Sequence, residues 1–239
     1  MNTNRRKRLS ARIDPSLLAH IPPFSKLSTE QIGEILDHAV SRRYEPGVTI
    51  FEEGEYADRF YMLLDGYIRV VRISPQGERV IALHIPSGQL FGIAEAFGRD
   101  TYPAAAVTAT EAVALSWATE FWSEFVVKYD GFATETYKVV GHRLEEMGTR
   151  VLELATQQVE QRVASALSRL INQVGHKVDR GIEINFPITR QDLSEITGTT
   201  SHTVSRMLSA WEKQGIIASK RKQITVLDSA QLTLLCEAN

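Results

Sequence analysis

From Thr199 to Gly215 the chain reads TTSHTVSRMLSAWEKQG, a set of residues suited to hydrogen bonding rather than to bond-making. At helical spacing Val204, Met207, Leu208 and Trp211 share one face, and Ser201, His202, Ser205 and Arg206 lie opposite, related by steps of three and four. An apolar side that fixes the helix angle, with short polar and long cationic side chains facing away from it, suits an element that enters the major groove of DNA. The fork of Arg206 matches guanine O6 and N7, and Ser205 is small enough to allow close approach. The same stretch holds no nucleophile paired with a base and no glycine loop able to cradle a phosphate.

Such a helix needs positioning. Just upstream, ITRQDLSEITG predicts a first short helix: Thr189 and Asp192 have the spacing of a capping box, Leu193 and Ile196 face inward, and Gly198 permits a sharp turn. Thr200 then serves as N-cap of the second helix. Downstream, IIASKRKQITVLD predicts two small strands around a basic turn, the layout of a wing. Residues 189–222 carry six Lys/Arg against three acids, a local balance of +3. Phosphate contacts are therefore expected here, from Lys220, Arg221 and Lys222 in the wing and from Thr200 and Thr203 at the helix start.

The rest of the chain sets the frame. It has 239 residues, 43% hydrophobic and 23% charged, with a net charge of −2, so nucleic-acid affinity must come from a local patch. One cysteine, Cys236, excludes an internal disulfide and a cysteine metal centre. The start, MNTNRRKRLSAR, has no apolar h-region and no run reaches transmembrane length, so a cytoplasmic protein with no membrane partner is expected. Its basic run Arg5, Arg6, Lys7 and Arg8 reads as a flexible solvated tail, the alternative being an arm that touches DNA non-specifically. Ser28 caps a helix with Leu27, Ile32, Ile35, Leu36 and Ala39 on one face.

From Tyr44 to about Leu115 period-2 stretches alternate with turns at Pro46-Gly47, Glu53-Gly54, Asp65-Gly66, Pro75-Gln76-Gly77 and Pro86-Ser87-Gly88. Turns about every ten residues predict an antiparallel roll or sandwich rather than alternating β/α units. After Trp117 the texture is helical. Ala133, Tyr137, Val140, Leu144, Met147, Val151 and Leu154 form a heptad seam, with Arg143, Glu145, Glu146 and Arg150 off it, which predicts pairing with a second copy of the chain. Val159, Val163, Ala166, Leu167, Leu170 and Ile171 mark the next helix, ending at Gly175, and RGIEINFP a short strand or turn.

With these pieces in order, the chain from about Leu27 to Leu227 resembles regulators of the CRP/FNR family. GEYADRFYMLLDGYIRV and PSGQLFG in the roll, the long helix, and ITRQDLSEITGTTSHTVSRMLSAWEKQGII carry the likeness. The resemblance implies an α+β fold: an antiparallel β-roll (a cyclic-nucleotide-binding-like double-stranded β-helix), a long dimerisation helix and a C-terminal winged helix-turn-helix. The corresponding boundaries are a flexible arm over 1–26, an effector-sensing roll over 27–130, a dimerisation helix over 131–158 and a DNA-binding domain over 159–239. It implies a homodimer on a palindromic double-stranded DNA site, with RNA polymerase as a further partner; activation or repression stays open. Arg190 and Gln191 match phosphate-contacting positions, and Ser205 and Arg206 match base-reading positions of the FNR branch. Position 202 holds glutamate in both main branches. Here it is His202, which implies a changed half-site preference, because a neutral imidazole donates or accepts and a protonated one only donates.

In the sensing domain the resemblance breaks from its cyclic-AMP branch. Ile93 stands where a glutamate grips the ribose, Pro103 and Ala104 where an Arg-Ser pair grips the phosphate, and Met147 and Gly148 where helix residues meet the base. A cyclic phosphate would lose its charge-assisted partner, so cyclic AMP is not expected. The N-terminal cysteines of the iron–sulfur branch are also missing. FGIAEAFGRDTYPAAAVTATEAVALSW together with HTVSR is similar to the regulators of nitrite and nitric oxide reductases, which implies a nitrogen-oxide-responsive activator. Haem is a possible cofactor, with His84 as its candidate axial ligand and Ile93 and Met147 as further effector positions. Two other readings stand beside this one. A constitutive or other-small-molecule-responsive regulator would use the roll only as a dimerisation platform. A cupin-type metalloenzyme would need paired histidines, whereas His84 stands alone in the strand-rich stretch from Tyr44 to Leu115.

Overall fold

Alternating side chains between tight turns yield short strands. In the computed structural model, which describes residues 6–8 (backbone) and 13–237, these strands build the N-terminal half. In chain order they are β1 (Arg6–Arg8), β2 (Val40–Tyr44), β3 (Thr49–Phe51), β4 (Arg59–Asp65), β5 (Tyr67–Ile73), β6 (Arg79–Pro86), β7 (Gln89–Phe91), β8 (Ala105–Thr108) and β9 (Ala112–Ala118). One sheet runs β1-β2-β9-β4-β7 and a second β3-β8-β5-β6, all pairings given for them being antiparallel. The expected roll is therefore present. The turn between β4 and β5 needs glycine. Gly66 has φ +91°, and a Cβ there would come within 2.3 Å of the Glu111 carbonyl oxygen.

The unbroken apolar run FYMLL in β4 reflects burial on both faces. Phe60 and Met62 join Ile32, Ile35, Trp117, Trp122, Phe125 and Phe132 in one cluster, while Tyr61 and Leu63 join Tyr44, Phe51, Phe91 and Tyr102 in the other. Each such side chain contributes about 1.5–3 kcal/mol when fully buried. The first cluster is closed by α1 (Thr29–Asp37), whose Ser28 cap forms a full capping box with Gln31, and by α2 (Phe121–Lys128).

Residues 13–26 do not form the flexible arm that the sequence suggests. Leu18, Ile21 and Phe24 are buried in the first cluster, and Arg6–Arg8 pair with β2 in the register Arg6↔Tyr44 and Arg8↔Arg42. Two single turns of 3-10 helix, Pro15–Leu17 capped by Leu18 and Pro22–Phe24 capped by Ile21, leave no helical period to read. Arg5 of the basic run lies outside the described residues.

α3 (Phe132–Thr156) is continuous, close to the predicted span. It is not a separate domain: the chain forms two compact units, one of Met1–Arg72 with Leu83–Glu146 and another of Ile73–Ala82 with Met147–Asn239. Within the first unit Phe132 and Thr136 of α3 are buried, and Val140, one turn on, packs partly on the first cluster. Val140 is therefore not on the open seam to which the heptads assign it. The straight helix drifts about 20° per heptad, and steps of four from Phe132 bring residue 140 back to the roll face. Tyr137, Leu144, Met147, Val151 and Leu154 are exposed, as is Leu152, which the heptads do not include.

The second unit continues with α4 (Val159–Val174), the hairpin β10 (Gly175–Val178) and β11 (Gly181–Ile184), α5 (Arg190–Thr197), α6 (Ser201–Lys213), β12 (Ile217–Lys220), β13 (Gln223–Val226) and α7 (Ser229–Glu237). Its sheet runs β10-β11-β13-β12. β10 and α7 are additions to the sequence reading. Among the described residues no helix is long and apolar enough to cross a membrane, and no three His, Cys, Asp or Glu side chains group to hold a metal ion.

Candidate nucleic-acid interface

α5 starts where the sequence places it. The Thr189 hydroxyl accepts from the Asp192 amide at 3.0 Å, and the Asp192 carboxylate accepts from the Thr189 amide at 2.7 Å, so the shorter acid still closes the box. Leu193 is buried and Ile196 half-buried. Gly198, at φ +63°, ends the helix in the left-handed conformation. Two residues later the Thr200 hydroxyl accepts from the Thr203 amide at 3.1 Å and starts α6.

α6 then separates its faces. Val204, Leu208 and Trp211 are buried, and the Trp211 indole donates to Glu160 of α4 at 3.0 Å, which fixes the rotation of the helix. Met207 is half-buried at the edge of that face. Ser201, His202 and Arg206 are exposed on the other side, joined by half-buried Ser205 and Thr203. The Ser205 hydroxyl donates to the Ser201 carbonyl at 2.8 Å, which leaves its lone pairs for an outside donor. Thr203 shares a hydroxyl bond with Thr200 at 2.9 Å.

The wing is anchored to both helices. Glu212 of α6 accepts from the Ser219 amide of β12 at 2.9 Å, and the Lys222 carbonyl accepts from the Ile188 amide at 2.9 Å, one residue before the α5 cap. That second bond accompanies a left-handed backbone at Lys222, φ +62°, unusual for a residue with a side chain. Lys220, Arg221 and Lys222 are exposed at the turn, and Arg190 and Gln191 are exposed at the start of α5, Gln191 donating to Glu195 at 3.1 Å. All the residues named for DNA contact thus lie on α5, α6 or the wing of one unit.

The sensing positions are different. In the first unit Ile93 is buried in the roll's first cluster, Ala104 is buried and Pro103 is exposed; none of the three offers a charge or a hydroxyl. Gly92 is pressed between the Phe51 and Tyr61 rings, at 2.9 Å from where a Cβ would stand. Phe51 stacks on Tyr102 at 3.7 Å between centroids, and Tyr61 on Phe91 at 5.0 Å. His84 is half-buried on β6, and Met147 and Gly148 are exposed on α3.

Two arginines that the seam assigns to solvent are engaged instead. Arg143 donates to the Gln89 amide oxygen at 2.7 Å and the Leu90 carbonyl at 2.8 Å, and burial pulls its pKa down to about 10. It borders a cavity of about 10 Å³, shared with Ile93, Thr136 and Val140, with room for one water. Arg150, in the second unit, donates to the carbonyls of Ile81, Ala82 and Ile196. Off-seam charges on a helix carry no local sign of such distant carbonyl partners, which is why the sequence reading missed both.

The comparisons agree with this geometry. Residues 41–129 match the cyclic nucleotide-binding domain, and residues 161–235 match the Crp-like helix-turn-helix domain. The chain is 23% identical over 199 residues to the CRP-like cAMP-activated global transcriptional regulator of Mycobacterium tuberculosis, covering 81% of this chain and 89% of that protein. It is 25% identical over 203 residues to the fumarate and nitrate reduction regulatory protein of Salmonella typhimurium, covering 84% and 80%. Its fold is similar to FixK2 from Bradyrhizobium japonicum, with TM-score 0.74, 23% identity and coverage of 84% and 98%. These relatives are regulators rather than enzymes, which disposes of the cupin reading. With the roll ahead of a capped, wing-flanked helix pair, this chain belongs to the CRP/FNR family of DNA-binding transcription regulators.

Proposed function

We propose that the chain acts as a homodimer that reads a palindromic DNA site through α6 and its wing, and activates transcription with RNA polymerase in response to nitric oxide or a related nitrogen oxide. The observation that carries the DNA part is the division of α6: Val204, Leu208 and Trp211 hold it, and Ser201, His202 and Arg206 are left exposed beside three wing cations. Arg206 donates to a guanine, Ser205 and His202 approach the neighbouring pairs, and Arg190, Gln191, Thr200, Thr203, Lys220, Arg221 and Lys222 meet phosphates. Dimer formation is supported by the exposed apolar row on α3, where Leu144 is 61% and Val151 67% open.

Ile93, Pro103 and Ala104 supply no partner for a cyclic phosphate, and the segment around them together with HTVSR resembles the nitrite and nitric oxide reductase regulators. The ring stack of Phe51, Tyr61, Phe91 and Tyr102 favours a second reading, in which the roll senses nothing and the protein binds DNA constitutively. No step is assigned to haem: the cavity of about 10 Å³ beside Ile93 and Arg143 is too small for it and is not lined by His84. Footprinting of the purified protein under argon, with and without a nitric oxide donor, separates the two readings. A change in operator affinity of tenfold or more supports nitrogen-oxide sensing, and identical footprints support the constitutive regulator.

A further inference from the structure

Arg150 has an unusual set of partners. Its guanidinium donates to the Ile196 carbonyl of α5 at 2.8 Å, to the Ile81 carbonyl of β6 at 3.1 Å and to the neighbouring Ala82 carbonyl. Ile196 is the penultimate residue of α5, where the last carbonyls have no partner within the helix and carry the negative end of its dipole. Arg162 of α4 takes the final one, donating to the Thr197 carbonyl at 3.0 Å and to the Gln157 carbonyl at 2.9 Å. The end of α5 is thus closed by two guanidiniums, one from α3 and one from α4. A third contact lies on the same helix: Arg79 of β6 meets Glu195 at 3.4 Å, and the Glu195 side chain is only 11% exposed.

We infer that Arg150 is a positioning residue for DNA reading, which fixes the end of α5, and with it the Gly198 turn into α6, to the Ile81 and Ala82 carbonyls of β6. The inference rests on the DNA-reading function proposed above. Three carbonyls at one guanidinium demand its planar fork, since five N–H donors reach in fixed directions, whereas a lysine ammonium is a single point on a flexible stem. The acceptors come from two segments more than a hundred residues apart, so a shift of β6 or of α3 reaches α5 through this side chain, beside the Arg79–Glu195 pair. Leu154, one turn further along α3, approaches Gly198 from the same side, its Cδ2 standing 3.5 Å from where a Cβ would sit.

The test uses the full-length protein with Arg150→Ala, Arg150→Lys and Arg150→Gln. Amide hydrogen exchange over residues 190–200 is read without DNA, and affinity for the selected operator is read against random duplex at the same salt. Arg150→Ala is expected to raise exchange at the end of α5 and to lower operator affinity about tenfold, the scale of one lost charge-assisted bond, while random-duplex affinity stays unchanged. Arg150→Lys restores part of the loss. If the alanine chain does not fold, Arg150→Gln, which keeps one amide donor, carries the same comparison. Unchanged exchange over 190–200 overturns the inference, as does an equal loss on operator and random DNA. A wild-type chain that selects no DNA site would refute the proposed function instead, and the exchange result would still decide the role of Arg150.

Discussion

All seven tyrosines lie in the first unit, where Tyr61 and Tyr102 stack with Phe51 and Phe91 inside the roll, whereas the second unit contains none and closes the end of α5, the helix ahead of its DNA-reading α6, with Arg150 and Arg162. The first unit is held by rings that have one good packing; the second is held at α5 by guanidinium bonds to backbone carbonyls. Close-packed rings resist small displacements, because a shift of a fraction of an ångström forfeits dispersion contacts. Charge-assisted bonds at a helix end act in fixed directions and can be removed one at a time. The difference places close packing in the roll and discrete, separable bonds at the helix ahead of the one that reads DNA.

The largest effect expected from breaking this contrast comes from the tryptophans. Trp117→Ala in the roll and Trp211→Ala behind α6 each remove a fully buried indole, at about 3–5 kcal/mol. Denaturant unfolding followed by tyrosine absorbance for the first unit and by DNA binding for the second is expected to show each loss in its own unit. Loss of both signals together in either variant would mean that the two units do not differ in the way described.

An alkaline titration is next. Burial raises the Tyr102 pKa to about 12 and that of Tyr61 further still, from an ordinary value near 10. For a group whose folded pKa is raised, the stabilising contribution is complete below pH 10 and is lost as pH climbs towards 12, because the unfolded chain gives up its proton first. The roll is expected to lose stability across that window, with tyrosinate absorbance and loss of sheet dichroism rising together. Tyr102→Phe should weaken the pH dependence, while also giving up the 2.6 Å bond to the Arg59 carbonyl. Tyrosinate formation in a roll that stays folded would contradict the buried stack.

The smallest effect concerns the wing. Lys222→Gly removes a side chain from a left-handed backbone and is expected to stabilise the second unit by about 0.5–1 kcal/mol. The slope of log affinity against log salt should fall by about two, as expected when each protomer of the dimer loses one phosphate contact. A destabilised variant would mean that the Lys222 side chain does more for the turn than its conformation costs.

Much of this could be read from residue order, and the exceptions share a cause. The capping box of Thr189 and Asp192, the Gly198 turn and the inner face of α6 follow from spacing within a dozen residues, and so were legible. The buried segment from Leu18 to Phe24 was not, because single 3-10 turns show neither period two nor period 3.6. Val140 was misassigned because a straight helix drifts off a seven-residue repeat. Arg143 and Arg150 read as solvated charges because their partners are backbone carbonyls, which every residue has and no pattern marks.

The central claim is that the exposed face of α6 reads bases, with Arg206 on a guanine and His202 altering the site. Selection of bound sequences from a random pool by the wild-type protein, Arg206→Ala and His202→Glu tests it directly. The expected result is one palindromic site for wild type, a loss of about 1–3 kcal/mol on that site for Arg206→Ala, and a changed half-site for His202→Glu. An unchanged site and affinity in the Arg206→Ala protein would contradict the account.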